Sequence, residues 1–107
     1  MIKAGVDLRG LAPQMAVAYT IASLLYQRHC NVPCVITSAS DGKHGANSLH
    51  YKGKALDLRT YNLPTSAVPL IVQSLTSALG EQFDVVLESD HIHVEFDPKE
   101  PEKPAEA

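Results

Sequence analysis

Phe83-Asp84-Val85-Val86-Leu87-Glu88-Ser89-Asp90-His91-Ile92-His93-Val94-Glu95-Phe96 is the stretch that decides the fold. Phe83 to Glu88 and His91 to Phe96 read as two strands, and the short Ser89-Asp90 connection between them predicts a β-hairpin. His91 and His93 stand two apart on the second strand, so both imidazoles project from one face of it. Upstream, Lys54 to Arg59 alternates in the same way. Ala55, Asp57 and Arg59 share one face, and Leu56 and Leu58 share the other. Asp57 therefore points away from the leucine face of its own strand.

The rest of the chain supplies helices to cover such a sheet. Leu11, Met15, Ala18, Tyr19, Ala22, Leu25 and Tyr26 recur at three- and four-residue steps, which predicts a helix from about Pro13 to about Arg28. Asn31-Val32-Pro33 turns the chain, and Cys34 to Ser38 reads as a short buried strand. Ala39 to Ser48 changes to Ser, Asp, Gly, Lys, His, Asn and Ala, the composition of an irregular loop. A second helix is predicted after Leu63-Pro64-Thr65, with Pro69 in its first turn and Gly80 just past its end. Its apolar side carries Val68, Leu75 and Leu79, joined by Val72. The fold class expected is α+β, a small antiparallel sheet flanked by two main helices. Residues 1–97 form the domain, and 98–107 form a flexible tail of Pro, Glu and Lys.

Composition narrows the function classes. The 107 residues are 45% hydrophobic and 20% charged, near the globular average, and enough for one modest core. Nine Lys+Arg against twelve Asp+Glu leave a formal charge of -3, which offers no field for nucleic acid or an anionic membrane. The longest uncharged window, Gly10 to Gln27, is broken by Pro13, Gln14, Thr20 and Ser23, and an amphipathic helix suits it better than a membrane span. Met1 to Asp7 does not read as a signal peptide, so synthesis and folding in a cytoplasm are expected. Cys30 and Cys34 are then expected as reduced thiols.

Two segments carry the chemistry: Ser48-Leu49-His50-Tyr51-Lys52-Gly53-Lys54-Ala55-Leu56-Asp57-Leu58 and Glu88-Ser89-Asp90-His91-Ile92-His93-Val94-Glu95-Phe96. His50 leaves the loop, Asp57 sits on the following strand, and Gly53 between them permits a sharp turn. Imidazole and carboxylate together suit zinc, and three protein ligands with one open position define a catalytic zinc site. A lone histidine in a strand is usually a surface or satisfied core residue, and a bare His-x-His pair arises easily by chance. The pair gains weight from the Ser-x-His-x-x-Gly-x-Ala-x-Asp segment upstream of it.

That segment, Ser48 to Asp57, resembles the signature of the M15 zinc peptidases. These include D-alanyl-D-alanine carboxypeptidases and phage L-alanyl-D-glutamate endolysins, and their wider group takes in the hedgehog signalling domain and lysostaphin-type enzymes. The resemblance spans about residues 10–97 and implies a hedgehog/DD-peptidase-like fold. It implies zinc ligands at His50, Asp57 and His93. It also implies a general base at Asp90, three residues before the last ligand; Glu88, in a run similar to the hedgehog domain's, is the alternative. His91 matches the first histidine of the His-x-His element in lysostaphin-like relatives and would stabilise the transition state. Ser48 would orient substrate or shape the turn before His50. Many members hold the substrate carboxylate with an arginine upstream, where the loop here offers Lys43 as its cation.

The function the resemblance implies is zinc-dependent hydrolysis of an amide bond in the peptidoglycan stem peptide. Zinc would acidify water to a pKa of roughly 7 and polarise the carbonyl. Cleavage between L-alanine and D-glutamate, as by a phage endolysin, is the first expectation, and D-alanyl-D-alanine carboxypeptidase activity the second. The rival from another class is a non-catalytic zinc-stabilised binding or structural module. A monomer is expected, made in the host cytoplasm and acting on the cell wall after release, with no nucleic-acid or membrane partner.

Overall fold

The computed structural model describes residues 1–39 and 53–98. Its elements in chain order are α1 (Pro13–Cys30), β1 (Ile36–Ser38), β2 (Ala55–Arg59), a 3-10 turn (Thr65–Ala67), α2 (Val68–Leu79), β3 (Phe83–Leu87) and β4 (His91–Phe96). The four strands form one antiparallel sheet in the order β1-β2-β4-β3. The expected α+β class, with two helices and a small antiparallel sheet, is what the chain adopts. The Ser89-Asp90 hairpin is present. Leu87 pairs with Ile92, and the Glu88 N–H donates to the His91 carbonyl at 2.8 Å, closing a two-residue loop.

Alternation along β2 and β4 divides the sheet into two chemically distinct faces. Leu56, Leu58, Ile92 and Val94 are buried and join Met15, Ala18, Ala22 and Tyr26 of α1 and Ile71 and Leu75 of α2 in one core. The register places Asp57 opposite His93, Arg59 opposite His91, and Ala55 opposite Glu95. Residues directly opposite in an antiparallel pair project to the same side. The polar side chains of β2 and β4 are therefore gathered on the face away from that core.

Helix α1 begins with Pro13 at its first position and ends on Asn31, whose left-handed backbone (φ 55°) lets its N–H reach the Gln27 carbonyl at 3.0 Å. Arg28 falls in its last turn, where a cation complements the helix dipole, and His29 follows it there. The helix is less amphipathic than its sequence suggests, because Val17 and Leu24 are 58% and 64% exposed. In α2 the fully buried positions are Ile71 and Leu75, while Val68, Val72 and Leu79 pack at the margin. The core-facing line thus runs through Ile71, which the sequence reading passed over.

Strand β1 is shorter than expected. Cys34 and Val35 are buried but precede the ladder, and the register slips between Ile36 and Ser38, so that Ile36 faces Leu58 and Ser38 faces Asp57. This is a bulge at Thr37, directly beside Asp57, and bulges commonly re-aim side chains near sites. Met1 to Lys3 adds a short parallel pairing to the far edge of β1. Lys3 N–H donates to the Ile36 carbonyl and Ile36 N–H to the Met1 carbonyl, both at 2.9 Å.

Gly53 is held where no other residue fits. Its φ is +71°, and a Cβ there would lie 2.0 Å from the Gly10 carbonyl oxygen. Its own carbonyl accepts the Ala12 N–H at 2.8 Å, tying the entry of β2 to the entry of α1. Of the predicted tail only Pro98 is described, and no helix among the described residues is long and apolar enough to cross a membrane.

Candidate functional site

The polar face brings together residues that are far apart in sequence. Asp57 Oδ1 lies 2.9 Å from His93 Nδ1, across 36 residues of chain. The other ring nitrogen, Nε2, lies 2.7 Å from Glu95 Oε1. His93 thus sits between two carboxylates, and these side chains are largely shielded, at 14%, 20% and 23% exposed for Asp57, His93 and Glu95. The Asp57 hydrogen bond, opposed by partial burial and helped by Glu95, raises the imidazole from its usual 6.5 to about 9. The ring is therefore an imidazolium at neutral pH when nothing else binds it.

His91 stands on the same face. Its Nδ1 is 2.6 Å from Asp90 Oδ1, and its Nε2 is 3.7 Å from Asp57 Oδ1. Asp90 is 83% exposed at the hairpin tip, so an exposed carboxylate orients a largely shielded histidine. Asp90 and His91 border a cleft of about 250 Å³ that is completed by Lys3, Thr37, Arg59 and Tyr61. Glu88 opens instead onto a neighbouring cleft of about 470 Å³, with Tyr61, Leu63, Val68, Pro69 and Leu87 in its walls. Asp90 and Tyr61 border both.

The sequence-predicted residues therefore divide in two. Asp57, His93, His91 and Asp90 converge; Glu88 is nearby but borders a different cleft from His91. His50, Ser48 and Lys43 lie outside the described residues. Glu95 was not singled out, although the alternation that aligned His91 with His93 also carries position 95. Alternation puts Arg59 on Asp57's face, and the register makes it a cation beside His91.

The donor set can be tested against zinc by its chemistry. Asp57 and His93 offer an oxygen and a nitrogen 2.9 Å apart, near the roughly 3.3 Å expected of two tetrahedral zinc ligands. Glu95 on the remaining ring nitrogen is the carboxylate partner that metal-ligating histidines usually have. These residues fit the group. Asp84, Glu95 and Asp97 also form an acidic cluster at the β3–β4 end, but three carboxylates without nitrogen or sulfur do not indicate zinc. Compared with known protein families and with curated proteins, the chain matches none.

Proposed function

We propose that this chain is a zinc-dependent peptidase of the peptidoglycan stem peptide, with a hedgehog/DD-peptidase-like fold, acting first on the bond between L-alanine and D-glutamate. The observation that carries the reading is the facing pair Asp57 and His93, held across β2 and β4 with Glu95 behind the ring. His50 would complete the ligand set from the segment before β2. Bound there, zinc supplies Lewis acidity for the scissile carbonyl and lowers the pKa of a water held beside it.

The chain's own residues supply the rest. Asp90, at the edge of the cleft, accepts the proton of the attacking water and returns it to the leaving amine as the C–N bond breaks. His91, with Nδ1 2.6 Å from Asp90 Oδ1 and Nε2 on the face that bears Asp57, is placed to stabilise the carbonyl oxygen as negative charge develops. The separation of Glu88 from the cleft that holds His91 favours Asp90 over Glu88 as the base.

Zinc content and clearing of purified cell walls are measured on wild type, Asp90→Ala, Glu88→Ala and His50→Ala. Asp90→Ala is expected to keep zinc and lose wall lysis, and His50→Ala to lose both. Full activity in Asp90→Ala beside an inactive Glu88→Ala overturns the base assignment. Mass spectrometry of the digest names the bond, and a D-alanyl-D-alanine product would make the chain a carboxypeptidase instead. Bound zinc with no amino groups released from any wall type would leave a zinc-stabilised binding module.

A further inference from the structure

We propose that the cleft between the start of α2 and the β3–β4 hairpin is a specificity subsite for a long alkyl side chain that ends in an ammonium group. The inference rests on the peptidase reading for its substrate, but on residues other than the paired Asp57 and His93 for its geometry. The cleft encloses about 470 Å³, and Leu63, Val68, Pro69 and Leu87 give it apolar walls. Leu87 is 47% exposed and Tyr61, also in the lining, 76% exposed. The mouth thus keeps apolar surface in water that an alkyl stem would cover.

Charge decides what the end of that side chain must carry. Glu88 and Asp90 are the acids of the lining, and among the described residues no Lys, Arg or His joins them. The Glu88 carboxylate has no hydrogen-bond or ion-pair partner among the described residues. Asp90 lies against His91 but keeps its negative charge, so it adds to the field of Glu88. Arg59 stacks on Tyr61 at 4.5 Å but lines the other cleft. The start of α2 offers an anion little here. Ala67 and Val68 spend their N–H groups on the Pro64 and Thr65 carbonyls, and Pro69 has none. Apolar walls with negative charge alone at the rim complement a cation on an alkyl stem.

Position relates this cleft to the cleaved bond. Tyr61 and Asp90 border both clefts, so a peptide lying on the polar face turns a neighbouring side chain into this one. From His93 to Asp90 at the hairpin tip is three residues of chain, roughly 10 Å, and an extended peptide advances at the same rate. The ammonium therefore belongs to a residue within about three of the scissile amide. In a stem peptide that is the diamino acid at the third position, which lies near both candidate bonds.

The test titrates zinc-loaded protein with stem tetrapeptides that differ only at the third residue: lysine, its neutral isostere 6-hydroxynorleucine, or alanine. Backbone amide NMR signals of Leu87 and Glu88 report binding in the first minutes, and mass spectrometry of the same samples reports hydrolysis. Hydroxynorleucine is expected to bind about tenfold more tightly than alanine, through its stem, and lysine about fivefold more tightly than hydroxynorleucine. Glu88→Gln should abolish the lysine preference with the circular dichroism spectrum intact, and Glu88→Asp should keep part of it. Leu87→Ser, at an exposed position, should narrow the gap between hydroxynorleucine and alanine. Equal binding of lysine and hydroxynorleucine to wild type overturns the subsite. So does a lysine preference unchanged in Glu88→Gln, and if hydrolysis is lost in that variant Glu88 is the base instead. A lysine preference without hydrolysis keeps the subsite and rejects the peptidase reading; hydrolysis without a preference does the reverse.

Discussion

His93 illustrates how much one side chain's surroundings set its chemistry. With Asp57 on Nδ1 and Glu95 on Nε2, the ring is fixed in orientation as well as in charge. If Asp57 and His93 share a zinc ion, Glu95 holds the remaining ring N–H. Glu95→Gln should then weaken zinc binding about 10- to 100-fold in competition with a chromogenic chelator while leaving the circular dichroism spectrum intact. Unchanged affinity would remove Glu95 from the site. Cys34 shows the opposite kind of environment. Burial pushes its thiol up to about 12, despite the opposing positive charge of the N-terminus. It should resist a disulfide reagent at pH 8 in the native protein and react only on unfolding. Because the unfolded thiol ionises first, the Cys34 contribution to stability should be constant below about pH 9. It should then fall as pH rises toward 12, by at most about 1.4 kcal/mol per unit, as urea melts across that range would show. The residues of the candidate site were legible to the extent that period-two alternation reveals them. Glu95 and Arg59 obey the same alternation as His93 and Asp57, yet neither identity alone distinguishes a partner from an ordinary solvated charge.

Among the elements, the two whose boundaries were hardest to read are those shaped by contacts distant in sequence. Cys34 and Val35 have the composition of strand residues, but of the two only Val35 bonds to β2, through its carbonyl to the Arg59 N–H, and the paired ladder begins at Ile36. Spacing alone puts the apolar side of α2 on Val68, Val72, Leu75 and Leu79. Nearly every residue in that helix is apolar or small, so periodicity could not single out Ile71. Gly53 was read as a turn glycine, and the structure adds a stronger reason in the Gly10 carbonyl that fills the space of a Cβ. Gly53→Ala should therefore cost about 2–4 kcal/mol, combining a left-handed backbone penalty with overpacking against rigid main chain. The shift in urea midpoint measures it, and a loss below 0.5 kcal/mol would mean that the β2 entry relaxes freely.

For the whole molecule, a single sheet with both helices in its core leaves one polar face on β2 and β4, and that arrangement couples stability to the ligand. A metal that binds the native face but not the unfolded chain stabilises by about 2.7 kcal/mol at a hundred times its dissociation constant. In a domain of this size each kcal/mol moves Tm by about 4–8 °C. Removing zinc with EDTA should lower Tm by about 10 °C or more, and Asp57→Asn should abolish the difference. A Tm indifferent to both EDTA and added zinc would argue against a metal on this face. The amino-acid sequence by itself determined the α+β class, the hairpin at Ser89-Asp90, and the pairing of His91 with His93 on one side of a strand. Each of these follows from local periodicity and turn length, which depend only on near neighbours. Only the tertiary structure decided that β2 lies between β1 and β4, because register is set by which apolar faces can share one core. That register puts Asp57 against His93 and Arg59 against His91, and with the β1 edge it brings Lys3 to the same cleft. Alternation can say which way a side chain points, but only strand pairing determines what it meets.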